Sequence, residues 1–309
     1  MGPLSIEAEI IAAPLAGEWR DWLVLLKPRV VNLVVFTGWL GLYLAPGHLH
    51  PVLAFTAILC IAVAAGAAGC LNMWWERDID ALMHRTANRP IPGGRISPEA
   101  ALQFGVALAV GSVLVMGLAT NLCAAAILAL SIGFYVFVYT MWLKRMTPQN
   151  IVIGGAAGAF PPVIGWAAVT GDVSLMPVLL FGIIFLWTPP HFWSLSLYAC
   201  KDYGRAGVPM LPVVAGARAT RRQIFGYTIL LVAVSLLPWV LGYTGRIYGV
   251  AAVLLGAGFL VGSAMVLRDQ QAHDGTSLTR DRPARANFRY SLLYLAVLFT
   301  ALGVDKFAQ

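Results

Sequence analysis

A chain of 309 residues that is 59% hydrophobic and only 11% charged is not a soluble globular domain, which carries about 25% charged residues. Its mean hydropathy of +0.77 and its recurring apolar runs of about 20 residues, the length that crosses a bilayer, make it an integral membrane protein. The net charge of +7 does not call for nucleic acid, because the basic residues sort to one side of the spans described next.

Residues 1–29 read as a tail. It holds Glu7, Glu9, Glu18 and Asp21, so it lacks the basic start of a secretory signal and the acid-poor character of a mitochondrial transit peptide. That favours a bacterial inner membrane. Residues 30–309 form one all-α transmembrane domain, with spans expected at 30–46, 52–74, 100–119, 121–142, 151–170, 175–199, 224–243, 247–267 and 290–304. The turns PGHLHP, TN, GDVSLM and TGR are short, whereas the loops near 75–99, 143–150, 200–223 and 268–289 are longer and charged. Nineteen of the 21 Lys and Arg residues fall in the tail and these four loops, leaving Arg246 and Lys306 on the other side. The positive-inside rule then puts the N-terminus and the long loops in the cytoplasm and the C-terminus in the periplasm. Cys60, Cys70, Cys123 and Cys200 form no CxxC pair and read as small buried hydrophobes.

The second span ends in NMWWERDIDALMHRTANRP, residues 72–90. If the helix continues past Trp74, Asn72, Glu76 and Asp80 fall within an arc of about 80°, with Asp78 roughly opposite. Two carboxylates and an amide oxygen suit a hard divalent cation. Mg²⁺ in particular binds through one or two carboxylates plus substrate phosphates. The alternative is a solvated loop whose acids pair with nearby arginines.

The fifth span is rich in Gly and Ala, so Gly154, Gly155 and Gly158 are expected at close helix contacts, and Pro161 and Pro162 at a kink. In the sixth span, His191 follows Trp187-Thr188-Pro189-Pro190. The Pro pair frees backbone carbonyls, and a polar ring at that depth is a functional candidate; satisfying a freed carbonyl is the other role open to it. The span ends in HFWSLSLYACKDYGRAGVPMLP, where Tyr198 and Asp202 are i,i+4 neighbours with Lys201 beside them.

Both acidic clusters lie at the cytoplasmic ends of even-numbered spans, among Arg85, Arg89, Lys144, Arg145 and Lys201. Metal ions bridging diphosphate oxygens, with cations around them, fit that composition. An apolar interior beneath it fits a hydrocarbon tail, so the substrate class is a prenyl diphosphate. Tyr139, Trp142, Trp187, Phe192, Trp193 and Tyr198 are candidates to face an allylic carbocation, packing and interfacial roles being the alternative for each. A transporter is the competing class, but the acids sit at one surface and no pair of matching interrupted halves is evident.

Asn72-x₃-Glu76-x₃-Asp80 resembles the NxxxDxxxD motif of the UbiA superfamily of intramembrane prenyltransferases, and Tyr198-x₂-Lys201-Asp202 resembles its second motif in the YxxKD form. More narrowly, LLKPRV (25–30), DIDALMHRTANRPIP (78–92), YTMWLKRMTPQNIVIGGAAGAFPPVIGW (139–166) and HFW…KDY…AGVPMLPVV (191–214) resemble the heme O synthase branch, over residues 20–300. Glu76 departs from the pattern, standing where the motif usually has Asp.

The resemblance implies nine transmembrane helices around a central cavity. It also implies Mg²⁺-assisted ionisation of farnesyl diphosphate and transfer of the farnesyl group to a vinyl group of heme B. In that reading Asn72, Glu76 and Asp80 hold one Mg²⁺ and Asp202 a second. Arg85, Arg89, Lys144, Arg145 and Lys201 neutralise the diphosphate, and Tyr198 orients Lys201 or the leaving oxygen. Lys27 and Arg29 contact the diphosphate or heme propionates, snorkelling to headgroups being the alternative, and His191 meets the heme iron or a propionate. A quinone-precursor aromatic acid is the other acceptor the superfamily offers. The partners implied are the lipid bilayer and heme A synthase or a terminal oxidase assembly.

Overall fold

The computed structural model describes residues 17–273 and 275–308. Helices α1 (Trp19–Leu25) and α2 (Pro28–Leu44) make the first span, bent by 53° between them. The bend has a local cause. Lys27 sits at φ +51° in the left-handed region, and Pro28 takes the first position of the new helix, where its missing N–H costs nothing. Helix α1 falls within the stretch assigned from sequence to the tail.

Helix α3 (Pro51–Trp75) starts on His50, whose Nδ1 accepts the Val52 N–H, and is followed after a pause at Glu76 by α4 (Arg77–Leu82). Ser97 and Asn121 cap α5 (Pro98–Ala119) and α6 (Leu122–Gly133) by accepting the Ala100 and Ala124 N–H groups. The fourth span continues from α6 through a π-helical stretch, Phe134–Leu143, into α7 (Lys144–Met146).

The fifth span is split at Phe160 into α8 (Asn150–Ala159) and α9 (Pro161–Thr170), as the Pro pair requires. The sixth is α10 (Leu175–Tyr198), followed by the short α11 (Cys200–Arg205) and α12 (Leu211–Val214). Helices α13 (Gly216–Val240), α14 (Arg246–Leu267) and α15 (Arg282–Phe307) complete the chain. Among the described residues, eight helices are long and apolar enough to cross a membrane, and the bent α1–α2 pair makes nine. The protein is a multi-pass membrane protein.

Each expected span has its helix; besides α1 ahead of the first, two begin well before the expected position. The seventh begins at Gly216 and the ninth at Arg282, eight residues before the positions expected for each. The added turns carry Arg218, Arg221, Arg222, Arg282, Arg285 and Arg289. Hydropathy marks where a helix leaves the apolar layer, whereas hydrogen bonding carries it further into the polar region.

Consecutive spans pack side by side, α15 returns to α2, and two further contacts, α2 on α9 and α10 on α15, tie the set together. The α2–α9 crossing depends on glycine. A Cβ on Gly41 would lie 2.0 Å from the Pro162 carbonyl oxygen, and one on Gly165 would lie 2.0 Å from that of Gly38. Without a hydrophobic drive between helices in lipid, such close backbone approach supplies the packing contact. Gly154 makes room for the Tyr139 ring and Gly155 for the Thr188 side chain, as expected of close-packed positions. Gly158 differs: a Cβ there would meet nothing, and the residue is exposed.

Candidate functional site

The pause at Glu76 preserves the register of the first motif. The Glu76 N–H donates to the Asn72 carbonyl (3.0 Å) and the Asp80 N–H to the Glu76 carbonyl (2.8 Å). The three side chains therefore stay on one face across the break. They are buried, at 3%, 2% and 3% exposure, while Asp78 turns outward and is exposed.

Each buried residue of the motif meets a cation from a different part of the chain. Lys27 Nζ donates to Asn72 Oδ1 at 2.6 Å, Lys144 Nζ to Glu76 Oε2 at 2.5 Å, and Arg89 Nη1 to Asp80 Oδ2 at 2.6 Å. Lys27 is delivered by the bend between α1 and α2, and Lys144 by the end of the π-helical stretch. Arg89 comes from the loop after α4. That loop is folded back by the Thr86 hydroxyl on the Asp80 carbonyl (2.9 Å) and by the Arg95–Asp21 ion pair (2.8 Å).

Thr140, also in the π-helical stretch and fully buried, accepts from Asn72 Nδ2 at 3.1 Å. The wider i→i+5 winding of such a stretch shifts the side chains on its face relative to an α-helix and often accompanies functional sites. Arg145 turns away from this group. Its two terminal nitrogens grip the Asp78 carboxylate at 2.9 and 2.7 Å. Desolvation pushes the Asp78 carboxyl up, but the Arg145 hydrogen bond and the Ile79 backbone N–H outweigh it and hold it below the usual aspartate range.

The second motif is built the same way. Helix α10 pauses at Ala199, and six-residue α11 follows, as α4 follows α3. Asp202 is half-buried and pairs with Arg205 at 2.9 Å. The Arg285 guanidinium, from α15, lies 4.3 Å above the Tyr198 ring, a cation–π contact. Lys201, Arg85 and Arg29 are exposed. Ile79 and Met83, beside the first motif, share one buried cluster with Leu197 and Tyr203, beside the second. Both motifs thus lie at one end of the bundle.

Deeper in α10, His191 is stacked between Trp187 (ring centroids 4.3 Å) and Phe288 (4.6 Å), and its Nδ1 lies 2.7 Å from the Ser291 hydroxyl. The Ser291 hydroxyl donates its only hydrogen to the Phe288 carbonyl (2.7 Å). With that hydrogen on the carbonyl, the Ser291 oxygen accepts from His191, whose proton is then on Nδ1 and whose lone pair is on Nε2. His191 does not serve a carbonyl freed by the Pro pair. Among the other aromatics, Trp187 donates its indole N–H to the Ser291 carbonyl (2.7 Å), Trp193 packs edge-on against Tyr227, and Trp142 is 57% exposed on the outer surface.

Thr140, Ser291 and Arg285 escaped the sequence reading. For Thr140 and Ser291 the available signal was a hydroxyl inside an apolar span, which in a membrane protein asks for a partner.

The donors fit a hard metal ion. Glu76 Oε1 is buried and has no hydrogen-bond partner. Together with Asn72 and Asp80 it offers oxygen ligands only, the type Mg²⁺ prefers. No group of three or more His, Cys, Asp or Glu side chains is placed to hold a metal among the described residues. Two carboxylates and an amide therefore need oxygens from elsewhere, and substrate phosphates complete such sites.

Comparison with known proteins gives the family and the fold. Residues 33–301 match the model of the UbiA prenyltransferase family. A protein of Granulibacter bethesdensis named protoheme IX farnesyltransferase is 66% identical, over 97% of this chain and 96% of its own. In fold, the chain is similar to a digeranylgeranylglyceryl phosphate synthase (TM-score 0.76, 17% identity, 93% of this chain and 97% of that one). It is also similar to a UbiA homolog from Archaeoglobus fulgidus bound to DMAPP and Mg²⁺ (TM-score 0.64, 17% identity, 92% and 99%). The chain belongs to the UbiA prenyltransferase family.

Proposed function

We propose that the protein transfers the farnesyl group of farnesyl diphosphate to a vinyl group of heme B, releasing diphosphate. The observation that carries this is the buried Asn72, Glu76 and Asp80 face with Lys27, Lys144 and Arg89 interleaved on it. Acids and cations alternating at the mouth of an apolar bundle suit a metal-bridged diphosphate whose hydrocarbon chain runs between the helices. The 66% identity to a protein named protoheme IX farnesyltransferase supports heme B as acceptor.

Asn72, Glu76 and Asp80 would hold one Mg²⁺ and Asp202 a second. Bound there, the metal would draw charge from the diphosphate oxygens and so make the allylic C–O bond easier to break. Lys144, Arg89 and Lys27 take up phosphate oxygens as negative charge builds on the leaving group, and the C–O electron pair departs with the diphosphate. The terminal vinyl carbon of heme then bonds to the allylic carbon. Water adds a hydroxyl to the inner vinyl carbon and releases a proton, leaving a hydroxyethylfarnesyl side chain. The Tyr139 ring lies beside this group, with Lys144 Nζ 5.9 Å from its centroid, and an aromatic face there favours a passing cation. In the tautomer protonated on Nδ1, His191 would offer Nε2 to the heme iron as a neutral ligand. The motif end of the bundle faces the cytoplasm of a bacterial inner membrane in this proposal, supported by the bias of Lys and Arg to that side.

Purified protein given heme B, farnesyl diphosphate and Mg²⁺ tests the proposal. A larger, more hydrophobic heme on reversed-phase chromatography is expected. Unchanged heme, with prenylation of an aromatic acid instead, would overturn the acceptor.

A further inference from the structure

We infer that Arg218 and Arg222 hold the phosphodiester of an anionic membrane phospholipid in a cavity between the ends of α13 and α14. The residues lining this cavity belong to neither motif, and the inference does not depend on the reaction proposed above.

The cavity, about 470 Å³ in volume, is lined by Arg218, Arg222, Leu267 and Gln271. Its depth follows from the helices. Leu267 is the last residue of the apolar α14, and Arg218 and Arg222 lie in the first two turns of α13. The cavity therefore sits where the hydrocarbon layer gives way to headgroups. The two arginines are four residues apart, about 6 Å along the helix, and both are exposed. Neither pairs with a carboxylate among the described residues. Arg218 Nη2 reaches only the carbonyls of Ala272 and His273, at 3.4 and 3.3 Å. Arg221 differs, turning inward at 1% exposure to take up Asp269 and Asp281. These two acids are thus engaged on Arg221, and the outer arginines are left as donors for an anion from outside. The planar guanidinium fork suits phosphate oxygens, and basic pockets between transmembrane helices on the cytoplasmic side take anionic headgroups.

Below the cavity, the same side of α13 offers a track for an acyl chain. Arg218, Arg222, Gly226, Ile229 and Ala233 fall within an arc of about 80°, and all are exposed. A Cβ on Gly226 would meet nothing within 4 Å, so no neighbouring helix covers the stripe at that level. A phospholipid matches both parts at once, phosphate above and hydrocarbon below, whereas free phosphate would use the arginines alone. Gln271 adds a third feature. Its Nε2 donates to the Asp269 carbonyl at 3.2 Å, and its buried Oε1 has no donor. A turn of the amide that gives this oxygen a headgroup hydroxyl, such as that of phosphatidylglycerol, breaks no existing bond to it. An ammonium headgroup would instead bring positive charge against the arginines.

Native mass spectrometry of the full-length protein in detergent tests this, with phosphatidylglycerol and phosphatidylcholine of the same acyl chains titrated separately. Wild type is expected to retain one phosphatidylglycerol and to bind it at least about tenfold more tightly than phosphatidylcholine. Arg218→Gln combined with Arg222→Gln should weaken phosphatidylglycerol binding about 30-fold, the effect of removing two arginines that face an anionic lipid. Phosphatidylcholine binding should not change. Arg282→Gln removes an exposed arginine outside the cavity and should leave phosphatidylglycerol binding as it is. Equal affinity of wild type for the two lipids would overturn the inference, whatever the variants do. Weakening by Arg282→Gln as large as that of the double variant would also overturn it, in favour of diffuse surface charge. Inorganic phosphate that displaces the lipid at comparable concentration would overturn the lipid assignment in favour of a free anion. The enzymatic reading stands or falls separately, on the heme B assay.

Discussion

Glu76 and Lys144, sixty-eight residues apart in sequence, meet at 2.5 Å with the Glu76 side chain only 2% exposed. The contact joins the end of the second span to the end of the fourth. It also puts the acid that departs from the family's usual Asp under the control of a lysine outside its own motif. Glu76→Ala is expected to reduce diphosphate release by at least about 100-fold, the upper range for losing even an outer-shell partner of a metal ligand. Glu76→Asp keeps the charge and is expected to stay within about tenfold of wild type. Full activity in the alanine variant would remove Glu76 from the metal site.

Thr140 accepts from Asn72 Nδ2 and so fixes which way the amide points, leaving Oδ1 toward Lys27. Thr140→Val has nearly the same shape and lacks the acceptor. Turnover about tenfold lower is expected, with Mn²⁺ affinity falling alongside and thermal stability little changed. Kinetics identical to wild type would show that the amide is oriented without Thr140.

His191→Phe preserves the stack with Trp187 and Phe288 but removes both ring nitrogens. Binding of farnesyl thiolodiphosphate should persist, while the shift of the heme absorption band on mixing with protein should disappear. Ser291→Ala frees the tautomer and should weaken heme binding by about tenfold, as expected when a partner behind a metal-binding His is lost. A normal heme band shift with His191→Phe would separate His191 from the heme.

Arg221, 1% exposed, is held by Asp269 at 3.3 Å and Asp281 at 3.5 Å, and Thr279 donates to Asp269 at 2.6 Å. Asp269→Asn should destabilise the protein by about 3–5 kcal/mol, because a buried cation loses a buried partner. Asp281 behaves differently. Burial pushes its carboxyl above the usual aspartate range, the nearby Arg221 offsetting only part. Folding therefore favours its protonated form, and the stability it contributes is lost as pH rises from about 3.9, the ordinary aspartate value, through the raised one. Asp281→Asn should match wild type at low pH and equal or exceed it near neutrality in thermal unfolding. A large loss of stability at neutral pH would contradict this.

Much of the molecule was legible because the bilayer imposes its own length and charge rules. Apolar runs and the sorting of Lys and Arg located every span, and the i,i+4 spacing of Asn72, Glu76 and Asp80 located the face that the structure buries. Helix register is local, so periodicity reads it. Which cation serves which oxygen is not local. The Lys27–Asn72 and Arg89–Asp80 contacts depend on a left-handed residue at a bend and on a loop folding back. Arg145 and Lys144 are adjacent in sequence yet serve Asp78 and Glu76 on different sides of α4, a division no motif announces. The contact of His191 with Ser291 spans one hundred residues, and only the packing of α10 on α15 creates it.

Structure determination with Mg²⁺ and farnesyl thiolodiphosphate bound tests most directly whether the ends of α3 and α10 serve one leaving group. One diphosphate is expected between Asp80 and Asp202, with metal ions touching both carboxylates and with Lys144 and Arg89 moved onto phosphate oxygens. A diphosphate lodged elsewhere, or one reached by only one of the two aspartates, would contradict it.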